Sequence, residues 1–282
     1  MTRLPNFLYI GPDKAGSSWL HDVLIEHPDI YMTPAKDLYF FDRYFDKGVD
    51  WYAHHFEHAA SQQIVGEVCQ DYLFHAAAAE RIEQVLGTAR FMVTLRDPVD
   101  RAFSSYLYML KMGEMPGTFA QALQSRPELL EHGRYATALD RFADRFGERS
   151  IHVAVFDDLA ADPRAFVADL LNWLGVAPFE LSDELLATRL PASKARSVGL
   201  ARLARTAAQW TRENNGAELV GRVKRSPVFQ KLLYQPLKEK PEMDPADVAL
   251  IRTTLDAEMS SVESRFGVDL RRRWGWVAQA PR

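Results

Sequence analysis

The 282-residue chain has one cysteine, Cys69, which excludes an internal disulfide and suits a reducing compartment, so the expected location is cytoplasmic. No apolar run approaches the ~20 residues of a membrane helix. The amino-terminal MTRLPNFLYIG lacks the apolar core of a secretory signal, so no membrane partner is expected. An excess of positive charge is missing as well: the formal net charge is -4, so nothing global draws the chain to nucleic acid, and any anion site has to be local. Repeats, low-complexity tracts and Pro/Gly/Ser linkers are absent. Residues 1–282 are therefore expected to form a single domain, and 47% hydrophobic residues can fill a large core.

What is present is an alternation of short apolar runs with amphipathic stretches. Strands are predicted at 6–10 (NFLYI), 64–68 (IVGEV), 90–95 (RFMVTL) and 151–156 (IHVAVF), and helices at 17–27, 76–86, 98–111 and 163–174. Strands apolar at nearly every position belong to a parallel sheet covered on both faces. The fold class is α/β, a parallel β-sheet flanked by helices on both faces, whose ligands lie beyond the carboxyl ends of the strands. After residue 175 the strand signals fade, and 198–213 and 244–265 read as helices of a helical C-terminal portion spanning about 198–282.

The first strand runs into LYIGPDKAGSSWL, where Gly11, four further residues, Gly16, Ser17 and Ser18 outline a P-loop. Glycines permit the tight turn, and a helix opening at Ser17 offers free amides and a positive dipole end to an anion. The usual P-loop puts lysine directly after the second glycine, where it reaches the β- and γ-phosphates. That position is Ser17 here and the lysine is Lys14, inside the loop, so the ligand should differ from ATP.

A second anchor is RDPVDRAFSSY. Arg96 ends a strand, Asp97 can cap the next helix and Pro98 fits its first turn. Val99, Phe103, Tyr106, Leu107 and Leu110 make that helix's apolar stripe, Ser104 lies on its flank and Arg101 points away. Arginine at the strand end and a hydroxyl two turns along can grip one anion from two sides. A third feature is the segment from Arg189 to Arg212, with six basic and no acidic residues. Arg202, Arg205 and Arg212 read as a solvated helix face, whereas Lys194 and Arg196, in the loop before it, can close over an anion. In HHFEH, His54 and His58 have a metal-binding spacing, but the order His-Glu-x-x-His of metalloproteases is not met, and no metal is expected.

Together these segments resemble the sulfotransferases that use 3′-phosphoadenosine 5′-phosphosulfate (PAPS). KAGSSWL resembles their 5′-phosphosulfate loop, and RDPVDRAFSSY their 3′-phosphate motif with arginine and serine eight residues apart. AKDLYFFDRYFDKGVDWYAHHF is similar to a stretch of the heparan-sulfate-type carbohydrate sulfotransferases, where a lysine-glutamate pair precedes two aromatic residues. The resemblance covers roughly residues 6–200. It implies that Lys14 contacts the bridging and sulfuryl oxygens while Ala15, Gly16, Ser17 and Ser18 line the loop. Trp19 would stack on adenine or else pack in the core, and Arg96 and Ser104 would hold the 3′-phosphate, with Lys194 or Arg196 completing that site. Adenosine 3′,5′-bisphosphate would be released.

In such a displacement at sulfur, Lys14 stabilises charge that grows on the leaving oxygen, and a carboxylate takes the acceptor's proton. Asp37, standing where the family has glutamate, is the expected base, with Glu67, Asp71 and His75 in reserve. Where many relatives read lysine-Ser/Thr-Pro-x-Tyr, this chain has EVCQDYLF, with Val68 for the lysine and Gln70 for the proline. The acceptor is expected to be a small molecule or carbohydrate, sulfated on a hydroxyl or an amine. Tyr39, Phe40, Phe41, Trp51 and Tyr52 line its pocket or, for most of them, the core. A homodimer is left open. The competing readings are a P-loop kinase using ATP and a catalytically silent nucleotide-binding protein.

Overall fold

The computed structural model describes residues 3–115, 117–187, 193–195, 206, 211, 234–236 and 241–277. Five parallel strands form one sheet: β1 (Phe7–Gly11), β2 (Ile30–Met32), β3 (Ile64–Val68), β4 (Arg90–Leu95) and β5 (Ile151–Val155), in the order β2-β3-β1-β4-β5. Around it lie helices α1 (Ser17–Glu26), α2 (Val49–His54), α3 (Ala78–Leu86), α4 (Pro98–Met112), α5 (Phe119–Ser125), α6 (Glu128–Glu131) and α7 (Tyr135–Phe146). The described chain continues with α8 (Phe156–Ala161), α9 (Pro163–Leu174), α10 (Asp183–Ala187), α11 (Pro245–Phe266) and α12 (Leu270–Arg273). A short antiparallel pair, β6 (Ser193–Ala195) with β7 (Tyr234–Pro236), completes them.

The three central strands carry the near-continuous apolar runs, because each is buried on both faces. Their side chains alternate between two cores. Leu8, Ile10, Val65, Phe91 and Val93 join α3, α7 and the Met259–Val262 part of α11. Phe7, Tyr9, Ile64, Val68 and Met92 face α1, α9 and α10. A third cluster packs α4 and α5 against Ile251 and Leu255. Ile251, Leu255, Met259 and Val262 follow each other at helical spacing, so one stripe of α11 closes two cores.

Local chemistry explains where the elements begin. Asp97 accepts from the Val99 amide and Pro98 opens α4, Asp162 caps α9 before Pro163, and Asp244 caps α11 before Pro245. Phe40, Phe41 and Tyr52 are fully buried, as expected, while Tyr39 and Trp51 pack at the edge of that core. The predicted helix 198–213 lies outside the described residues apart from Thr206 and Thr211, which are helical. Among the described residues no helix is long and apolar enough to cross a membrane.

From β1 the chain leaves towards the β2 edge, and from β4 towards the β5 edge. This reversal opens a crevice at the carboxyl ends of the central strands. Lys14, Asp37, Asp71 and Arg96 follow β1, β2, β3 and β4 respectively, so all four stand at that end of the sheet.

Candidate functional site

The turn after β1 needs its glycines. Gly11 has φ 138°, and a Cβ there would stand 2.5 Å from the Gln70 carbonyl oxygen; Gly16 has φ 88°, and its Cβ would meet Leu159 Cδ2 at 2.5 Å. Gly16 is the N-cap of α1, and no side chain caps that end, so the first-turn amides face the loop as an anion cradle. Ala15 is buried beneath it, and Ser17 is buried as well.

Three cations converge here. Lys14, itself at φ 62°, has its ammonium 4.2 Å from the Tyr108 ring centroid. Burial lowers its pKa to about 8, with the charges of Lys36, Lys111 and Arg96 adding to the effect and Asp13 opposing it. Lys36, from the segment after β2, donates to Ser17 Oγ at 2.8 Å and Ser18 Oγ at 3.3 Å. Arg96 donates to the Lys14 carbonyl at 2.7 Å and lies 4.8 Å over the Phe156 ring. Its own carbonyl is held by the Tyr135 hydroxyl. Lys36 carries no role in the sequence-derived site beyond its motif. The signal for it is its place in AKD, but only the fold shows that the segment lands on the loop's hydroxyls.

Beneath the loop, Asp13 turns inward to Arg101 and Ser105 of α4. The sequence pattern points Arg101 away from the apolar side of α4; the structure instead buries it completely. The reason is Asp13, a partner 88 residues away, which no local periodicity reveals. Burial raises the Asp13 carboxyl, but Arg101, His132 and Ser105 outweigh it and hold the group well below the usual carboxylate range.

The carboxylates differ in access. Asp37 is buried at φ 61°, 3.7 Å from Lys36 Nζ, and its Oδ1 accepts from the Gln70 amide at 3.5 Å. Glu67 lies in the core, accepting from Tyr52 at 2.7 Å, Tyr72 at 2.9 Å and the Leu38 amide at 3.3 Å. Burial pushes it up to about 8 against those hydrogen bonds, and its position suits a core acid rather than a base open to an acceptor. Asp71 is raised to about 6 by burial, with the Arg43 charge opposing and Asp37 adding; Arg43 pairs with it and lies over the Tyr39 ring. His75 is lowered by burial, with Asp42 opposing.

Trp19 donates its indole N–H to the Leu185 carbonyl at 2.8 Å and packs against the core of α1, α9 and α10. Ser104 is half-buried on α4. Lys194 lies in β6, whose backbone packs on α4, beside the helix of Ser104; Arg196 lies outside the described residues. Near Arg96, Trp276 donates to Asp97 at 3.2 Å and Trp274 to Asp157 at 3.0 Å. The carboxylates on either side of the arginine are thereby tied to the segment after α12. His54 pairs with Glu57 at 3.1 Å, and among the described residues no three potential metal ligands meet.

The family model described as "Sulfotransferase family" matches residues 56–180. The membrane-associated sulfotransferase kil1 of Dictyostelium discoideum is 33% identical over 149 residues, 48% of this chain and 32% of that protein. The human heparan sulfate glucosamine 3-O-sulfotransferase 3B1 is 28% identical over 183 residues, 62% of this chain and 47% of that protein. The chain thus spans less than half the length of these curated relatives. Among solved structures, the sulfotransferase from Alicyclobacillus acidocaldarius shares the fold, with a TM-score of 0.71 at 22% identity over 96% of this chain and 98% of that one. The matched segment contains the β3, β4 and Arg96–Ser104 half of the crevice, and over that segment the chain is similar to the sulfotransferase family.

Proposed function

We propose that this protein moves a sulfuryl group from PAPS to a hydroxyl or amine of a small-molecule or carbohydrate acceptor. The observation that carries the reading is the meeting of Lys14, Lys36 and Arg96 around the open amino end of α1. The Ser18 hydroxyl, which stands where a triphosphate-binding loop holds magnesium, accepts a hydrogen bond from the Lys36 ammonium at 3.3 Å. A cation so close repels a divalent metal, which favours a phosphosulfate over a metal-bound triphosphate.

Bound PAPS supplies the sulfuryl group, to be attacked by the acceptor's oxygen or nitrogen as the sulfur–oxygen bond to the phosphate breaks. Lys14 faces the oxygen that keeps the electron pair, stabilising charge that grows only in the transition state. Arg96 and Ser104 hold the 3′-phosphate, and the loop amides with Lys36 hold the 5′ end. Asp37 takes the acceptor's proton, with the Lys36 ammonium 3.7 Å from its carboxylate. The relatives named for heparan sulfate favour a sugar acceptor, while Val68 and Gln70 alter the acceptor side.

Incubation with PAPS and a panel of sugars, phenols and amines tests this reading. The expected result is a sulfated product with one adenosine 3′,5′-bisphosphate per transfer, unaffected by a chelator and lost in Lys14→Ala. Failure of the bisphosphate to bind would end this reading, and magnesium-dependent ATP turnover would replace it with the kinase reading.

A further inference from the structure

Asp13 precedes Lys14 in the loop, yet its carboxylate faces the interior. Its Oδ1 accepts from Arg101 Nη1 at 2.9 Å, its Oδ2 from Ser105 Oγ at 2.9 Å, and His132 Nδ1 lies 3.6 Å from Oδ1. Arg101 is 0% exposed, and its other arm donates to the Leu129 carbonyl. A buried ion pair adds little stability over well-packed apolar residues; its best-attested use is to fix register. The elements placed in register here are the loop of Lys14 and the helix of Ser104. Ser104 directly precedes Ser105 and follows Arg101 by three residues.

Resting on the donor reading above, we propose that the Asp13–Arg101–Ser105 bracket sets the span between the 5′ and 3′ phosphate anchors. It thereby selects nucleotides phosphorylated at both positions over those with a 5′ group alone. The three are positioning residues. A ligand with one anionic end follows the loop wherever the loop settles. A ligand with two ends binds at full strength only when both anchors stand at its own span, because each anchored end raises the effective concentration of the other. Slack between loop and helix therefore weakens the doubly phosphorylated ligand alone.

Two variants test this. Ser105→Ala removes one arm at a helical position that alanine favours. Asp13→Leu/Arg101→Met removes the ion pair without leaving either charge buried alone. Calorimetric Kd values for adenosine 3′,5′-bisphosphate and adenosine 5′-monophosphate are compared with wild type. The bisphosphate should weaken about five-fold in Ser105→Ala, as for one lost hydrogen bond, and more in the double variant, with the monophosphate unchanged in both. Equal weakening of both ligands, or an unchanged ratio, marks a purely structural ion pair and overturns the bracket alone. Wild type showing no preference for the bisphosphate overturns the donor reading, and the bracket with it. If the double variant fails to fold, Ser105→Ala decides.

Discussion

Replacing Lys14 with methionine should make the protein more stable while abolishing transfer. The ammonium's pKa drops from 10.5 to about 8 because of burial and its cationic neighbours. For a base lowered in this way, the folded state binds fewer protons than the unfolded state between those two values. Stability then rises with pH across that window, and the full penalty is present below it. At about 1.4 kcal/mol per pH unit, the charged lysine costs about 3 kcal/mol at pH 7. Methionine keeps the apolar stem and gives up the contact with Tyr108, worth about 0.5–1 kcal/mol, so the net gain is about 2 kcal/mol. Urea unfolding of both proteins at pH 7 should show that gap, and at pH 10.5, where the wild-type lysine is largely neutral, it should have vanished. Sulfuryl transfer should fall by at least about 100-fold. A variant no more stable than wild type at pH 7, or a gap indifferent to pH, refutes the claim that this lysine is kept charged against its surroundings.

Asp37→Asn should lower the transfer rate by about 100-fold or more while adenosine 3′,5′-bisphosphate binds as before; a loss under about ten-fold assigns the proton to another group, Asp71 first. Glu67, held protonated up to about pH 8 against an ordinary value of 4.5, makes wild-type stability fall as pH rises between those values. Glu67→Gln should remove that slope in melts at pH 5 and 9, and equal slopes would refute it. Gly16→Ala should destabilise by about 1–2 kcal/mol for its left-handed backbone alone. Contact with Leu159 adds to this, and bisphosphate affinity should drop in parallel; wild-type melting and affinity would show that the loop tolerates a side chain.

The central sheet is legible in the sequence because β1, β3 and β4 are buried on both faces and so read as unbroken apolar runs. Helix α9 is legible because Asp162, Pro163 and Gly175 punctuate it. The edge strand β2 has three residues, and its pairing of Ile30 with Ile64 defines it; so short a run shows no period. Helices α5 to α7 lie between 112 and 150, where the apolar residues serve two separate cores and blur a single stripe. In the site, Lys14, Ser17 and Arg96 were readable because motif spacing reflects one loop or one strand end. Lys36 over Ser17 and Arg101 under Asp13 were not, since each depends on a partner brought close only by the sheet.

The tryptophans after α12 give the site a place in time. Trp276 reaches Asp97 across 179 residues of chain, and Trp274 reaches Asp157 across 117. A chain leaving the ribosome makes its amino-terminal parts first, so the loop and Arg96 emerge long before the indoles that hold their acidic neighbours. A nascent chain can complete the sheet and still lack a finished nucleotide anchor until residue 276 is out.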